Sequence, residues 1–333
     1  MGNERYIPPF TITDEITNLV IEIGEYVGRI SAHDTLSSSP MLRRQNRIKT
    51  IHSSLAIEQN TLSLEQVTDV IDGKRVLAPP QDIREVQNAY EAYEQLSRLN
   101  PYSLDDLLTA HHFMMNGLVR EAGCFRAAGA GVYAGGQLIH AGTPAQYVPE
   151  VMEQLFRWLN ESKVHPLVKS CVFHYEFEFI HPFSDGNGRT GRLWHSLILQ
   201  NWKPFFAWLP IETLIQRRQE GYYHTLNECN AQGSSTAFIS FMLGIIRDAL
   251  REIPTISDSY VGDGVGDNVG ENRLAHEALC LSLLRENPGM SARQLALQLK
   301  VTPRQVERIL AKLKKEGKLE RIGSAKGGSW KIL

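Results

Sequence analysis

Twelve consecutive residues, HPFSDGNGRTGR from His181 to Arg192, concentrate the chemistry of this chain of 333. They set a histidine, a carboxylate, a Gly-Asn-Gly bend and two arginines side by side. Gly186, Asn187 and Gly188 let the backbone turn its N–H groups inward as a nest, with no glycine side chain to block an anion. HYEFEFI before the bend and LWHSLIL after it read as helices, so the bend falls at the N-terminus of the second. Unpaired N–H groups and the positive end of the helix dipole make that end an anion site. Arg189 and Arg192 are three residues apart, share a helix face and suit successive phosphates. Asp185 is a hard oxygen ligand placed to hold a Mg²⁺ that bridges phosphates. His181, at the loop's other end, is placed to take a proton from an incoming hydroxyl, and Phe183 is expected to point into the core. A cradle, a metal, counter-charges and a base add up to phosphate-linked group transfer. No Gly-Lys-Ser/Thr follows, so the loop is not a P-loop. Arg189 in a ligand position and the missing closing Glu argue against a calcium loop.

The elements that must position this loop are mostly helical. FTITDEITNLVIEIGEYVGRI places Ile16, Leu19, Val20 and Ile23 on one helix face. LSLEQVTDVIDG is a short helix ending at Gly73, and DIREVQNAYEAYEQLSRL from Asp82 is amphipathic up to the break NPYS. SLDDLLTAHHFMMNGLV begins with a serine cap and an acidic first turn. VPEVMEQLFRWLNES, HPLVKSCVFHYEFEFI and a helix from about Arg189 to Gln200 complete the set. One stretch breaks the helical period: GAGVYAGGQLIHAG, with β-branched and aromatic residues around Gly135 and Gly136, reads as a short β-hairpin. His111, His112, His165 and His174 have no metal-ligand spacing with a supporting carboxylate, so they are read as core or surface residues, and Met114 and Met115 as core.

With 42% apolar and 22% charged residues the chain has the composition of an ordinary globular protein, long enough for two or three domains. Four scattered cysteines without a CxxC pair argue against a disulfide framework and fit a reducing, cytoplasmic setting. No apolar run approaches the ~20 residues of a membrane span, and no signal-peptide layout opens the chain, so no membrane partner is expected. MGNERY begins like a myristoylation site, but Tyr6 stands where Ser or Thr is required.

The net charge of −2 hides an asymmetry: from Asn272 to Leu333 there are 13 Lys and Arg against 5 Asp and Glu, or +8, leaving −10 for the remainder. A basic tail on an acidic body points to an anionic partner for the tail. PTISDSYVGDGVGDNVGEN is a polar, glycine-rich linker. Beyond it, the helix HEALCLSLLRE, the pair SARQLALQLK and TPRQVERILAKLKKEG, and the strands of KLERIGSAKGGSWKIL follow the order of a winged helix. In that resemblance Thr302 to Lys315 is the recognition helix and Ala325 to Ser329 the wing tip. Two partners stay open for it, DNA and protein, because basic charge attracts any polyanion.

HPFSDGNGRTGR resembles the signature of the Fic family, His-Pro/x-Phe-x-Asp/Glu-Gly-Asn-Gly-Arg-x-x-Arg, at every specified position. The resemblance extends over roughly residues 10 to 250. It implies a mainly α fold: a Fic-type helical core with a short β-hairpin flap, and a small C-terminal winged-helix domain. The expected divisions are 1–100 for an N-terminal helical region, 101–253 for the catalytic core, 254–271 for the linker and 272–333 for the winged helix. It implies transfer of AMP from ATP, with Mg²⁺, to a Ser, Thr or Tyr hydroxyl of a target protein or of the chain itself. His181 would then be the general base, Asp185 the Mg²⁺ ligand, Gly186, Asn187 and Gly188 the phosphate cradle, and Arg189 and Arg192 the triphosphate ligands. Tyr222, Tyr223 and Asn230 of YYHTLNECN match positions near the adenine. Val132, Tyr133, Leu138, Ile139 and His140 fall in the flap, which pairs with the target's backbone as an added strand. GCFR before the flap resembles the family's Gly-x-x-Arg. Gly188, where phosphotransferase relatives carry Lys, favours nucleotidyl transfer.

SSLAIEQN resembles the family's inhibitory helix, Ser/Thr-x-x-x-Glu-Gly/Asn: Ser54 and Glu58 match, while Gln59 stands where Gly or Asn is expected. Glu58 would pair with Arg192 and occupy the guanidinium that the γ-phosphate needs. Taken alone, the same residue is an ordinary exposed helix glutamate. A homodimer that steadies this brake is among the partners the resemblance allows. Two other functions stay open: removal of AMP from modified proteins, with Glu58 positioning water, and an ATP-sensing, DNA-binding transcriptional regulator.

Overall fold

The computed structural model describes residues 6–33, 39–129, 131–134, 137–253, 279–281, 283–285, 287–299, 301, 303–322 and 329–332. The chain divides into two compact units, Met1–Asp258 and Ser259–Leu333. The expected linker 254–271, the start of the helix after it, Thr302 and most of the wing tip lie outside the described residues.

The larger unit runs α1 (Asp14–His33), α2 (Pro40–Ile57), α3 (Leu64–Ile71), α4 (Pro80–Glu94), α5 (Leu104–Met115), β1 (Gly131–Ala134), β2 (Gln137–Ala141), α6 (Val148–Glu161), α7 (Pro166–Ile180), α8 (Asn187–Trp202), α9 (Ile211–Arg217), α10 (Gln219–Gln232) and α11 (Thr236–Arg251). Helix starts follow local chemistry. Ser39 accepts from Leu42 N–H ahead of Pro40, Ser63 and Gln66 form a capping box, and Ser103 accepts from Asp106 N–H. In α1 the stripe Ile16, Leu19, Ile23, Val27 and Ile30 is buried, with Val20 at its edge. It packs on α11, which buries Phe238, Ile239, Met242, Leu243, Ile245 and Ile246. Each such aliphatic side chain contributes roughly 1.5–3 kcal/mol by leaving water.

The centre is α7 against α8. Both are buried on nearly every side, α7 through Leu167, Val172, Phe173 and Phe177 and α8 through Leu193, Trp194, Leu197 and Ile198. Burial on nearly every side places both helices inside the bundle, together with the polar residues His174, Glu176, Arg189, Arg192 and His195, and the motif loop joins them. Close approach is permitted by Gly191: a β-carbon there would come within 3.1 Å of the Phe177 ring. The hairpin β1–β2 is antiparallel, pairing Gly131 with Ala141 and Ala134 with Gln137, and its register shifts between Val132 and Tyr133. Its Gly135–Gly136 tip lies outside the described residues. Among the described residues no helix is long and apolar enough to cross a membrane.

The smaller unit contains α12 (Ala292–Leu299), α13 (Pro303–Lys315) and the antiparallel pair β3 (Leu319–Ile322) and β4 (Ser329–Ile332). Its core is Leu284, Leu295, Leu299, Val306, Ile309, Leu310, Leu313 and Leu319, with Cys280. Residues 279–281 and 283–285 are helical, and with α12, α13 and the hairpin they follow the expected order of helix, helix-turn-helix and hairpin; α13 leaves Arg304, Arg308, Lys314 and Lys315 exposed.

Candidate active site

The motif loop joins the end of α7 to the start of α8. His181 caps α7 in the left-handed region, φ 52° and ψ 63°, its N–H donating to Phe177 C=O at 2.9 Å. That conformation is uncommon outside glycine, though histidine is among the residues enriched there. Gly186 opens α8 at φ 79°, where a β-carbon would lie 2.5 Å from Met115 Sδ, so both conformation and space call for glycine. The N–H groups of Asn187, Gly188 and Arg189 precede the first hydrogen bond of α8, from Thr190 N–H to Gly186 C=O at 3.0 Å, while the N–H of Gly186, the first residue of the expected cradle, is taken by the Asp185 carboxylate. The Asn187 side chain is committed inside the loop: it accepts from Phe183 N–H and donates to Phe183 C=O, both at 2.9 Å. Its share of the cradle is therefore its backbone. Phe183 is fully buried and stacks on His111 with ring centroids 3.6 Å apart.

His111 ties the loop to α5. Its Nδ1 accepts from Gly123 N–H at 2.9 Å, which leaves Nε2 to donate to Asp185 C=O at 3.0 Å. Burial pushes its pKa down to about 4, so this bridge is a neutral imidazole. The Asp185 carboxylate is 58% exposed. Its Oδ1 accepts from Gly186 N–H at 2.6 Å and from Arg189 Nη2 at 3.1 Å. Among the described residues no group of three or more His, Cys, Asp or Glu could hold a metal. Mg²⁺ commonly keeps its waters and takes one carboxylate with substrate phosphates, and one solvent-facing carboxylate beside an anion cradle fits that mode.

Both motif arginines are buried and paired with carboxylates from other helices. Arg192 donates through Nη2 to Glu58 Oε1 at 2.8 Å and to Ser54 C=O at 3.0 Å, and through Nε to Ser54 Oγ at 3.1 Å. Burial disfavours its charge, but Glu58, together with Tyr222 and Glu178, more than offsets this and raises its pKa above the usual arginine value. Glu58 also covers Gly188, whose absent β-carbon would overlap Oε1. Arg189 Nη1 lies 3.4 Å from Glu85 Oε1 on α4, and Asn60 Nδ2 donates to the other oxygen of Glu85 at 2.8 Å.

The turn that presents Glu58 is a Schellman cap. Gln59 N–H donates to Ala56 C=O and Asn60 N–H to Leu55 C=O, both at 3.1 Å, with Gln59 at φ 66°. That angle accounts for the expectation of Gly or Asn at this position. Gln219 Nε2 on α10 donates to Ile57 C=O at 3.0 Å and holds the same turn from the other side.

The remaining candidates separate. Tyr222 is 1% exposed, and its hydroxyl is 3.0 Å from His174 Nε2 inside the core. Tyr223 is 41% exposed, with its pKa raised by burial and by nearby Glu58. Asn230 Oδ1 accepts from Tyr175 O–H at 3.0 Å. Val132, Tyr133, Leu138, Ile139 and His140 all lie on the hairpin strands, whose second strand runs beside α10.

Sequence reasoning missed Glu85, Asn60 and Glu178, and read His111 as a core or surface residue and Met115 as core. Glu178, one helix turn before the loop, sits against Gly191 and has its pKa pushed up to about 7 by burial, with Arg192 opposing and Glu58 adding to the rise. Its place three residues before His181 was the one available signal. Nothing local marked the others.

The sequence profile of the Fic/DOC family matches residues 98–199, and that of a winged helix-turn-helix DNA-binding domain matches residues 281–320. The crystal structure of a Fic family protein from Desulfovibrio desulfuricans G20 is 45% identical, covers 98% of both chains and superposes with a TM-score of 0.76. The chain belongs to the Fic/DOC family. The protein adenylyltransferase fic-1 of Caenorhabditis elegans is 30% identical over 253 residues, 69% of this chain and 47% of the relative. The protein adenylyltransferase Fic of Drosophila virilis is 28% identical over 235 residues, 67% of this chain and 46% of the relative. The chain thus spans about half the length of the curated relatives it matches.

Proposed function

We propose that this protein transfers AMP from ATP to a Ser, Thr or Tyr hydroxyl of a target protein, and to itself, and that Glu58 holds the reaction back. The observation that carries this reading is the motif loop. Gly186 opens α8 with its N–H groups ahead of the first helical bond, Arg189 and Arg192 lie on the first turns, and His181 stands at the loop's other end. The N–H groups and the two guanidiniums bind and orient the phosphates. Asp185 is the residue that would hold Mg²⁺, which supplies charge neutralisation between phosphates when bound. His181 removes the proton as the hydroxyl oxygen forms its bond to the α-phosphorus; the bond to the β-phosphate oxygen breaks and pyrophosphate leaves. Tyr223, exposed beside Glu58, is the residue for the adenine side, with Tyr222 buried beneath it against His174 and Asn230 held by Tyr175, and the hairpin presents the target backbone. With Glu58 on Arg192 the triphosphate cannot take its productive pose, which costs most of the rate.

The test is labelling by α-³²P ATP with Mg²⁺ in wild type, Glu58→Gly and Glu58→Gly/His181→Ala. Strong label on the single mutant only is the expected result. Absence of label on the single mutant and on every lysate protein would overturn the reading; release of AMP from a modified protein by wild type, lost in Glu58→Gly, would replace it with the reverse reaction. A second reading concerns the winged helix. The exposed Arg304, Arg308, Lys314 and Lys315 on α13 favour DNA as its partner. A gel shift that is sequence-blind and disappears with modest salt would remove that reading. The expected setting for both is the cytoplasm.

A further inference from the structure

One side chain joins the hairpin to the catalytic histidine. Arg126 is 4% exposed, and each of its donors found in a hydrogen bond meets a backbone carbonyl. Nε donates to His181 C=O at 2.7 Å, Nη1 to Ala128 C=O at 2.8 Å, and Nη2 to Ile180 C=O at 3.3 Å and to Thr143 C=O. The Arg126 N–H donates to Pro182 C=O at 3.0 Å. Ala128 lies just before β1 and Thr143 just after β2, so these are the two roots of the hairpin. Ile180 and His181 end α7, where carbonyls lack helical partners and carry the negative end of the dipole. Among the described residues no carboxylate lies within ion-pair distance of Arg126, so its charge answers that helix end rather than an acid.

We propose that Arg126 is the positioning residue that keeps the flap and the base His181 in register. The inference rests on the proposed reaction, in which the target's strand arrives on the hairpin and its hydroxyl must meet His181. His181 holds a left-handed backbone that persists only where its surroundings enforce it, and the guanidinium bonds the carbonyls of His181 and of the residue before it. A planar fork with five donors can serve four diverging carbonyls at once; a lysine ammonium on a flexible stem cannot. Through this one group a shift of either flap root is felt at the base.

The test uses the full chain carrying Glu58→Gly, with Arg126→Lys, Arg126→Gln and Arg126→Ala added separately. Hydrogen exchange at 127–129, 142–143 and 180–181 is expected to rise together in Arg126→Lys, while amides in α1 and α11 keep their protection. Transfer of AMP is expected to fall by about 100-fold, the usual cost of displacing a reacting group by ~1 Å, with ATP affinity by calorimetry unchanged. Guanidinium chloride, and not methylammonium, is expected to restore part of the Arg126→Ala rate. Exchange rising at one root alone or nowhere, or transfer falling in step with ATP affinity and melting temperature, would overturn the proposal. If the Glu58→Gly chain with Arg126 intact transfers nothing, the proposed reaction fails, and the exchange pattern still decides the role of Arg126.

Discussion

Oε1 of Glu58 occupies the space that a β-carbon on Gly188 would take. One carboxylate therefore covers the floor of the anion cradle and holds the guanidinium of Arg192 at 2.8 Å. In the proposed reaction an incoming phosphate would compete with Glu58 for both at once. Arg189 is likewise paired with a carboxylate from another helix, Glu85, which Asn60 holds in turn.

Ser54 holds the other edge of Arg192, accepting from Nε at 3.1 Å. Ser54→Ala leaves a buried, charged donor without that acceptor, at a cost of about 1–3 kcal/mol. The expected result is a lower melting temperature and AMP labelling above wild type but below Glu58→Gly, read by calorimetry and autoradiography. Labelling below wild type would instead assign Ser54 to the productive pose of Arg192.

Gln59 pays for its left-handed backbone, φ 66°, with a steric penalty that glycine avoids. Gln59→Gly is expected to stabilise the chain by about 1 kcal/mol, the gain from removing that clash less the entropy returned to the unfolded chain. Urea denaturation measures it. A firmer turn should also lower residual wild-type labelling, because Glu58 is the cap residue of the same turn.

Gly186→Ala meets two obstacles, a backbone at φ 79° and the Met115 sulfur. Met115→Ala removes only the second. The double variant is therefore expected to recover part of the ATP affinity lost in Gly186→Ala and to remain below Met115→Ala alone by about 1–2 kcal/mol of stability. Full recovery would show that space alone selects glycine here.

Glu176 on α7 is 2% exposed and accepts from the Tyr6 hydroxyl; burial pushes its pKa up to about 7, against the opposing effect of that bond. A carboxyl raised in the folded state favours folding while protonated. Its contribution is present below the ordinary value of 4.5 and is lost as pH rises to about 7. Denaturation at pH 5 and pH 8 should show wild type weakening across that interval and Glu176→Gln weakening less, each pKa unit being worth about 1.4 kcal/mol. Some slope remains in the variant, because Glu178 is raised to about 7 as well.

Much of the fold was legible because its signals are local. The stripe Ile16, Leu19, Ile23 repeats at the helical period, Ser63 and Ser103 announce helix starts, and the β-branched run around Gly135 and Gly136 breaks the helical pattern. Helix α8 begins two residues before the expected Arg189, since Gly186 rather than the first arginine is its cap. Glu58 was legible only through family resemblance; its own surroundings in sequence are those of any helix-end glutamate. His111 was read as a core or surface residue; it is buried, and its Nε2 holds the loop from 74 residues away while Nδ1 accepts from Gly123 N–H.

The sequence by itself determined the loop from His181 to Arg192, because its imidazole, carboxylate, glycine bend and guanidiniums are neighbours along the chain and their placement follows from one turn at one helix end. Only the tertiary structure decided what those groups touch. Glu58 meets Arg192 across 134 residues, and Arg126 meets His181 across 55. Such pairings are set by how helices pack against one another, which depends on the shape of a whole buried interface and not on any spacing that a short stretch of sequence carries.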